Sequence, residues 1–259
     1  MKRRSEDMPA IGTGVAAVNR CLCILEAFTE SESELTLSEL AHRTGFYKST
    51  LLRLASSLEK FSYIRRADSG AYRLGSEVLR LGLLYQRHFP TFEIVPAALQ
   101  AIASEVREGA SFYVCEGDER VCLHRVDSAR TVRDSVHEGS RLPLSVGAAS
   151  HVLLAFKGAR GKRYDTIRQL YFAESYGERD PETAAVACPV FGPERRLVGA
   201  LSVSGPRYRI HSAGAANFLP TLFKQARLLT HSLGGDRDVF PRSTRRFRPS
   251  TPAGAHHQR

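Results

Sequence analysis

Residues 35–73 constrain the fold of this chain more than any other part of its sequence. Thr36 is followed three residues later by Glu39, which is the spacing of a capping box at the start of a helix. Gly45 suits the left-handed backbone conformation that ends a helix. These signals predict a short helix that starts at Thr36 and is closed by a tight turn.

A second helix is predicted from about Lys48 to Lys60, because its apolar residues recur at helical spacing. The predicted core face consists of Leu51, Leu54, Ala55 and Leu58. The opposite, polar face consists of Ser49, Arg53, Ser56, Ser57 and Lys60. Two helices that meet at a tight turn, with a polar face on the second, form the arrangement that places a helix in the major groove of DNA.

A β-ribbon is predicted directly after the second helix. Its strands are residues 63–66 and 71–74, and residues 68–70 between them have the composition of a turn. A further helical pattern, residues 15–30, precedes the whole stretch. The order helix, helix, turn, helix, ribbon predicts a winged helix-turn-helix.

Charge within this segment favours DNA as the partner. From Arg43 to Arg73 there are seven basic residues and two acidic ones, which gives a local net charge of +5 within a chain of net charge +10. Hydroxyls in the first helical turn suit phosphate, and an arginine one turn later reaches guanine. The predicted DNA contacts are Lys48, Ser49, Thr50, Arg53, Arg65, Arg66 and Arg73. The alternative is a solvated helical hairpin with a charged face.

A linker helix is predicted over residues 75–87. Its apolar face is broad for a short helix, which suits packing on two sides, for example against a second subunit: Val78, Leu79, Leu81, Leu83 and Leu84. Pro90 and Pro96 then mark a domain boundary.

The second half of the chain is predicted to mix strands and helices. Two hairpins are expected, from residues 111–115 with 121–126 and from 185–191 with 197–204. The other expected elements are a strand at 131–136 and helices at 97–106, 144–156, 164–172 and 218–233.

Several classes of protein are disfavoured by missing motifs. The sequence has no G-x-S-x-G elbow, phosphate-binding loop, dinucleotide fingerprint, HExxH motif or Cys/His metal cluster. Cys115, His124 and Asp127 would form a nucleophile set only if the fold brought them together. We therefore expect no enzyme activity, no cofactor and no metal site. The five cysteines are odd in number and scattered, which favours reduced thiols. Without a signal peptide or an apolar span, we expect a cytoplasmic protein and no membrane partner.

Residues 15–75 resemble the winged helix-turn-helix of the IclR family of bacterial transcription regulators. The resemblance is carried by the strings AVNRCLCILEAF, LTLSELAHRTG, KSTLLRLASSL and YRLG. The second half resembles the family through SRLPLSVGAASHVLLAF, ACPVFGPERRLVGALSVSGPRYRI and ARLLTHSLGG. The resemblance implies an α+β chain with a C-terminal GAF-like α/β effector domain. It also implies a homodimer or homotetramer on a near-palindromic DNA operator, with DNA affinity set by a small organic or aromatic acid.

The resemblance also implies an effector pocket. Ser202 and Ser204 share one face of a strand, because side chains alternate along it. Two serines near a strand end are common without function, but the resemblance places this pair in the pocket. It does the same for Cys188, whose alternative is a small buried apolar residue. Ala148 and Ala149 match a small-residue pair whose backbone faces the ligand, and their alternative is ordinary helix packing.

The sequence departs from the family in three places. Ser150 and His151 replace the usual Gly-Lys. Residues 157–187 form a shorter stretch, so that an acidic effector contact maps to Glu178, to Asp180 or to nothing. The tail contains six arginines: Arg237, Arg242, Arg245, Arg246, Arg248 and Arg259. A second domain that only oligomerises, with no small effector, is the alternative function.

These patterns divide the chain into five parts. We expect disorder at residues 1–12 and a DNA-binding domain at 13–75. A linker helix and connection follow at 76–96, and the effector-binding and oligomerisation domain occupies 97–235. An Arg/Pro-rich tail, expected to be disordered, occupies 236–259.

Overall fold

The computed structural model describes residues 14–29, 31–87 and 89–240. The chain forms two units, Met1–Phe89 and Pro90–Arg259. The disorder expected for residues 1–12 and for the tail from residue 241 onward falls outside the described residues.

The described residues of the first unit form four helices and three short strands. They are α1 (Ala16–Glu26), β1 (Glu34–Leu35), α2 (Leu37–Thr44), α3 (Lys48–Lys60), β2 (Ile64–Arg66), β3 (Tyr72–Leu74) and α4 (Ser76–Arg87). Ile24, Leu40, Leu51 and Tyr72 lie together in its core, so that the first three helices and the sheet share one apolar cluster.

The predicted start and end of α2 are confirmed. The amide of Glu39 donates to Thr36 Oγ1 at 3.2 Å, and the amide of Thr36 donates to Glu39 Oε2 at 2.7 Å. Gly45 closes the helix with φ of 71°, in the left-handed region. A cap of this kind stabilises a helix by about 1 kcal/mol.

The ribbon is confirmed, with one strand more than expected. The sheet has the order β1-β3-β2, and both strand pairs are antiparallel. Glu34 and Leu35, for which no strand was predicted, pair with Arg73 and Tyr72. A two-residue strand is too short to show alternation, so only the folded chain reveals it.

Two apolar faces of the first unit lie open to solvent. The apolar stripe that the sequence predicts for the first helix is only partly buried: Val15, Val18 and Leu22 are exposed, whereas Leu25 and Phe28 pack against the core. Helix α4 buries no residue in its own unit. The exposed apolar residues on and just after α4 are Leu79, Leu81, Leu83, Leu84, Tyr85 and Phe89.

The second unit begins with helix α5 and continues as an antiparallel sheet with helices on both faces. The helices are α5 (Thr91–Val106), α6 (Ala148–Phe156), α7 (Lys162–Leu170), α8 (Arg207–Ala213) and α9 (Ala215–Ser232). The strands are β4 (Gly109–Glu116), β5 (Glu119–Val126), β6 (Arg141–Pro143), β7 (Ala173–Tyr176), β8 (Thr183–Phe191) and β9 (Leu197–Pro206).

The six strands have the order β6-β5-β4-β9-β8-β7. Alternation along each strand sends side chains to two separate cores. Leu201 and Phe112 pack with α5 and α9 on one face, whereas Ala200 and Tyr113 pack with α6 on the other. Both predicted hairpins are confirmed, as is the α+β class of the chain.

The expected boundary at Pro96 is wrong. Pro96 lies inside α5, which starts at Thr91. A proline within a helix forfeits a backbone hydrogen bond at a cost of about 3 kcal/mol. Val95 and Leu99 on either side of it are fully buried in the core of the second unit, and this burial offsets the loss.

Two further expectations from the sequence are wrong. Residues 131–136 form no strand, and the backbone oxygen of Asp134 is instead bound by the side chain of Arg125 at 2.8 Å. The tail does not begin at residue 236, because Arg237–Val239 is a 3-10 helix and Phe240 is buried against Tyr171, Phe191 and Phe223.

No helix in the described part of the chain is long and apolar enough to cross a membrane.

Candidate DNA-binding surface and effector pocket

Helix α3 presents a polar face with an open N-terminus. Lys48, Ser49 and Arg53 are exposed and Thr50 is half-buried, while Leu51, Leu54, Ala55 and Leu58 face the core. The N-cap residue, Tyr47, makes no side-chain capping bond. The amides of the first turn are therefore available to a phosphate group, which a helix N-terminus attracts.

The ribbon divides its three arginines between two settings. Arg65 and Arg73 are directly opposite each other on β2 and β3, so that their side chains share one face. Arg73 lies 3.8 Å from a carboxylate oxygen of Glu34, whereas Arg65 is exposed and has no carboxylate partner among the described residues. Like charges opposite each other in a sheet are unfavourable, so an external anion would stabilise this face.

Arg66 is turned back onto its own sheet. Its Nη2 donates to the hydroxyl of Tyr72 at 2.7 Å, and its guanidinium carbon lies 5.0 Å from the centre of that ring. The hydrogen bond to Tyr72 raises the pKa of Arg66. This arginine is less free to reach DNA than Arg65.

A cavity of about 30 Å³ lies between the sheet and the start of α6 in the second unit. Four of the five residues predicted to bind an effector line it: Ala148, Ala149, Ser202 and Ser204. Charged and polar residues that were not predicted also line it: Tyr113, Arg120, Asp134, Ser175, Arg179 and Thr183.

Cys188 does not belong with the other four. It pairs with Leu201 in the sheet and packs in the α5 and α9 core, whereas Ser202 faces the cavity on the opposite side. Burial raises the pKa of the Cys188 thiol, as expected of a small apolar core residue. The assignment of Cys188 to the pocket is therefore wrong. Successive side chains of a strand point to opposite faces of the sheet, and that of Cys188 points to the face away from the cavity.

Arg120 is the most unusual residue in the cavity wall. It is 4% exposed, its Nη1 donates to the backbone oxygen of Val146 at 2.5 Å and to Ser150, and its guanidinium lies 5.1 Å from the ring centre of Tyr113. Burial lowers its pKa, an effect that Tyr113 and Asp134 oppose. No local sequence signal distinguishes Arg120 from an ordinary arginine at the start of a strand.

Asp134 is the acidic residue of the cavity, although the sequence pointed to Glu178 or Asp180. Asp134 is 6% exposed and forms an ion pair with Arg179. Asp180 instead accepts the amide of Glu182 at 2.9 Å within its own turn. Asp134 comes from the irregular segment that was expected to be a strand, which explains why its position was missed.

Glu178 holds the start of α6 in place. Its carboxylate accepts the amide of Gly147 at 2.8 Å, His151 Nε2 at 2.6 Å and Arg163 Nη2 at 2.6 Å. Burial alone would raise the pKa of Glu178, but these bonds lower it to about 2. Burial lowers the pKa of His151, an effect that Glu178 opposes.

The possible nucleophile set is not assembled. The Sγ of Cys115 is 3.0 Å from Lys157 Nζ, Asp127 is bound to Arg125 at 2.7 Å, and the ring of His124 packs edge-on against Phe92. In the described part of the chain, no group of three or more His, Cys, Asp or Glu residues is placed to hold a metal ion.

A larger, open groove of about 490 Å³ lies beside α5, α8 and α9. Its buried acid, Glu108, is bound by Arg209 at 2.6 Å and lies 3.6 Å from Arg130. Because these charges already pair with one another, the groove offers less to a charged ligand than the smaller cavity does.

Family models match most of the chain. The model described as the IclR helix-turn-helix domain matches residues 17–68. The model described as the bacterial transcriptional regulator IclR C-terminal matches residues 85–164 and 161–231.

Known regulators are similar over most of their own length. The HTH-type transcriptional regulator KipR of Bacillus subtilis is 28% identical over 213 residues, which cover 73% of this chain and 85% of KipR. XynR of Escherichia coli is 25% identical over 246 residues, which cover 85% of this chain and 98% of XynR.

A solved IclR homologue from Microbacterium hydrocarbonoxydans, complexed with 4-hydroxybenzoate, aligns with a TM-score of 0.66. It is 20% identical, and the alignment covers 84% of this chain and 98% of that one. At this identity, the likeness shows a shared fold.

Proposed function

Because this chain belongs to the IclR family of bacterial transcription regulators, we propose that it binds a near-palindromic operator and that a small organic acid in the second unit controls its affinity for that operator. As a member of this family, the chain is a regulator and not an enzyme.

The DNA contacts that we propose come from two parts of the first unit. Helix α3 enters the major groove with Lys48, Ser49 and Thr50 near phosphate and Arg53 near base edges. In the ribbon, Arg65 and Arg73 contact flanking phosphate or the minor groove, with Arg66 in a supporting position beside Tyr72. The open helix N-terminus and the unpaired charge of Arg65 support this assignment.

Pairing of two or four chains makes the operator near-palindromic. The observation that supports pairing is the apolar surface left open in the first unit, on one stripe of α1 and over most of α4. Apolar patches of this kind mark protein interfaces more often than solvent-facing surface.

The effector site that we propose is the cavity at the start of α6. Ala148 and Ala149 supply backbone at the helix start, and Ser202 and Ser204 supply hydroxyls from the sheet. The observation that carries the proposal is the excess of positive charge, since Arg120 and Arg179 face a single acid, Asp134. A structural neighbour holds 4-hydroxybenzoate, which makes this acid a reasonable first probe.

The test combines footprinting and titration on the DNA upstream of the gene that encodes this chain. We expect a protected region of two related half-sites, and a change in operator affinity when an effector acid is added. Linkage requires operator and effector to change each other's affinity by the same factor. Equal effector affinity with and without operator would disprove the coupling.

The alternative is a second unit that only oligomerises. The small size of the cavity, about 30 Å³, favours this function. Thermal-shift screening separates the two functions, because a bound acid raises the melting temperature by mass action. A broad acid panel that shifts nothing, together with intact operator binding, would favour the oligomerisation function.

A further inference from the structure

We propose that Arg120 is a preformed receptor for the carboxylate of a singly charged organic acid, bound side-on through its Nε and Nη2 atoms. This inference rests on the proposed effector function and assigns the anchoring group of that site, together with the charge of the ligand.

The bonding of Arg120 leaves one edge of its guanidinium open. Nη1 is occupied by the backbone oxygen of Val146 and by Ser150. Nε is buried and has no hydrogen-bond partner among the described residues, and both side-chain bonds of Arg120 are made by Nη1 and not by Nη2. The Nε–Nη2 edge is one of the two edges with which arginine binds both oxygens of a carboxylate. An unpaired donor inside a protein is costly unless a ligand completes it.

The charge of Arg120 is also uncompensated. Asp134, which lines the same cavity, pairs with Arg179, and Glu178, which binds the amide of Gly147, pairs with His151 and Arg163. No described carboxylate forms an ion pair with Arg120, although Asp134 attracts it from a distance. Burying a charge without a counter-ion is unfavourable, which is consistent with a site built for an incoming anion.

The surroundings fix the guanidinium before any ligand arrives. The ring of Tyr113 lies on one side, at 5.1 Å from the guanidinium carbon. Gly147 lies on another, where a Cβ atom would be 2.8 Å from Nη1 and 3.0 Å from Nη2. The absence of a side chain at Gly147 therefore makes room for Arg120, and little orientation remains to be lost on binding.

The net charge of the cavity selects a monoanion. Arg120 and Arg179 contribute two positive charges and Asp134 one negative charge, so a single carboxylate brings the site to neutrality. A phosphate dianion or a dicarboxylate would leave an excess negative charge in a buried place. Ser175 and Ser202 in the cavity wall supply hydroxyls for a further oxygen of the ligand.

The experiment compares acids with their amides on the full chain. Melting temperature is measured with benzoate and benzamide, pyruvate and pyruvamide, and phosphate, at one ionic strength held by chloride. The variant is Arg120→Met, and the matched control is Arg141→Met, which removes an exposed arginine from the neighbouring strand β6. Binding of the upstream DNA is recorded for each variant as a separate readout.

We expect benzoate or pyruvate to raise the melting temperature of the unaltered chain and of Arg141→Met, and the amides to leave it unchanged. Arg120→Met should weaken acid binding by about 10- to 100-fold, which is the size of a lost charged hydrogen-bond pair. If Arg120→Met does not fold, Arg120→Lys keeps the charge and loses the two-pronged edge, and it should also weaken acid binding.

Four results would overturn the proposal: no acid stabilises the unaltered chain, amides act as well as acids, phosphate acts better than the acids, or the Arg120 variants respond as the control does. The last result would show that the chain binds an acid but that Arg120 does not anchor it. Upstream DNA binding that persists in any of these cases would leave the DNA-binding function intact.

Discussion

Arg65 lies directly opposite Arg73 across the antiparallel strands β2 and β3. Cross-strand like charges destabilise a sheet by roughly 0.2–1 kcal/mol, so we expect Arg65→Ala to leave the free energy of unfolding unchanged or slightly raised. The same substitution should weaken DNA binding and lower the slope of log affinity against log salt by about one. Affinity measured at several salt concentrations checks both effects. Lys224→Ala, at an exposed position in α9, is the control, and a salt slope unaffected by Arg65→Ala would remove Arg65 from the interface.

Arg53 and Lys48 are both exposed on α3, and their substitutions should weaken DNA binding in different ways. Arg53→Ala is expected to cost about 1–3 kcal/mol on the operator and to relax sequence preference at one base pair, because a base contact is lost. Lys48→Ala should weaken binding uniformly across sequences, because phosphate carries no sequence information. Competition between operator variants distinguishes these outcomes, and an Arg53→Ala protein with full operator affinity would contradict the assignment.

Gly147 and Gly45 both have positive φ, at 96° and 71°. At Gly45 an added Cβ meets nothing within 4 Å, whereas at Gly147 it meets the guanidinium of Arg120. Gly45→Ala carries the left-handed backbone cost of about 1–2 kcal/mol, whereas Gly147, with ψ of 150°, occupies a region essentially restricted to glycine, so that Gly147→Ala also carries a backbone cost. Only Gly147→Ala should also reduce the response to organic acids, and chemical denaturation combined with acid titration measures both quantities. Equal losses of acid binding in the two variants would show that Arg120 is not displaced.

Cys188 faces the core and not the cavity, which gives Cys188→Ser a distinctive outcome. A buried hydroxyl without a partner should lower the free energy of unfolding by about 1–3 kcal/mol. Acid binding should be unchanged, since Cys188 lies on the other face of the sheet from Ser202. Denaturation and acid titration of this variant, with Ser202→Ala as the comparison, test the assignment. A selective loss of acid binding in Cys188→Ser would place its side chain on the cavity face instead.

The stability that Glu178 contributes depends on the pH of the solution. Its pKa falls from 4.5 to about 2 on folding. A carboxyl whose pKa is lowered on folding contributes stability above its unfolded pKa and loses it as the pH falls towards the folded pKa. We therefore expect Glu178→Gln to flatten the loss of stability between pH 4.5 and about 2. Urea denaturation at several pH values measures the free energy of unfolding. If its decrease at low pH were the same in Glu178→Gln, other carboxyl groups would account for the decrease.

Local patterns in the sequence predicted the DNA-binding half well, because each element there is specified by its own residues. The Thr36 cap, the Gly45 turn and the core face of α3 are all set within one or two helical turns. The predicted stripe of the first helix includes Leu25 and Phe28, which pack on the core, together with Val18 and Leu22, which are exposed, since apolar periodicity does not say which partner an apolar face will meet.

The cavity was predicted only in part for a different reason. Ala148, Ala149, Ser202 and Ser204, which the resemblance assigned to an effector pocket, line the cavity, and strand alternation predicted only that the two serines share a face. Arg120 and Asp134 come from separate segments and meet only through the tertiary fold. Asp134 in addition lies in residues 131–136, which were predicted to form a strand, whereas in the structure the side chain of Arg125 binds the backbone oxygen of Asp134.

The two-residue strand β1 sets how this regulator can be re-engineered. Glu34 and Leu35 form the third strand of the ribbon and lead directly into Thr36, the cap of α2. The chain therefore connects the ribbon to the helices twice, from β1 into α2 and from α3 into β2. A chimera that takes its DNA specificity from another regulator should exchange everything from residue 34 to residue 74 as one cassette, because a graft starting after α3 would pair a foreign ribbon with the resident β1.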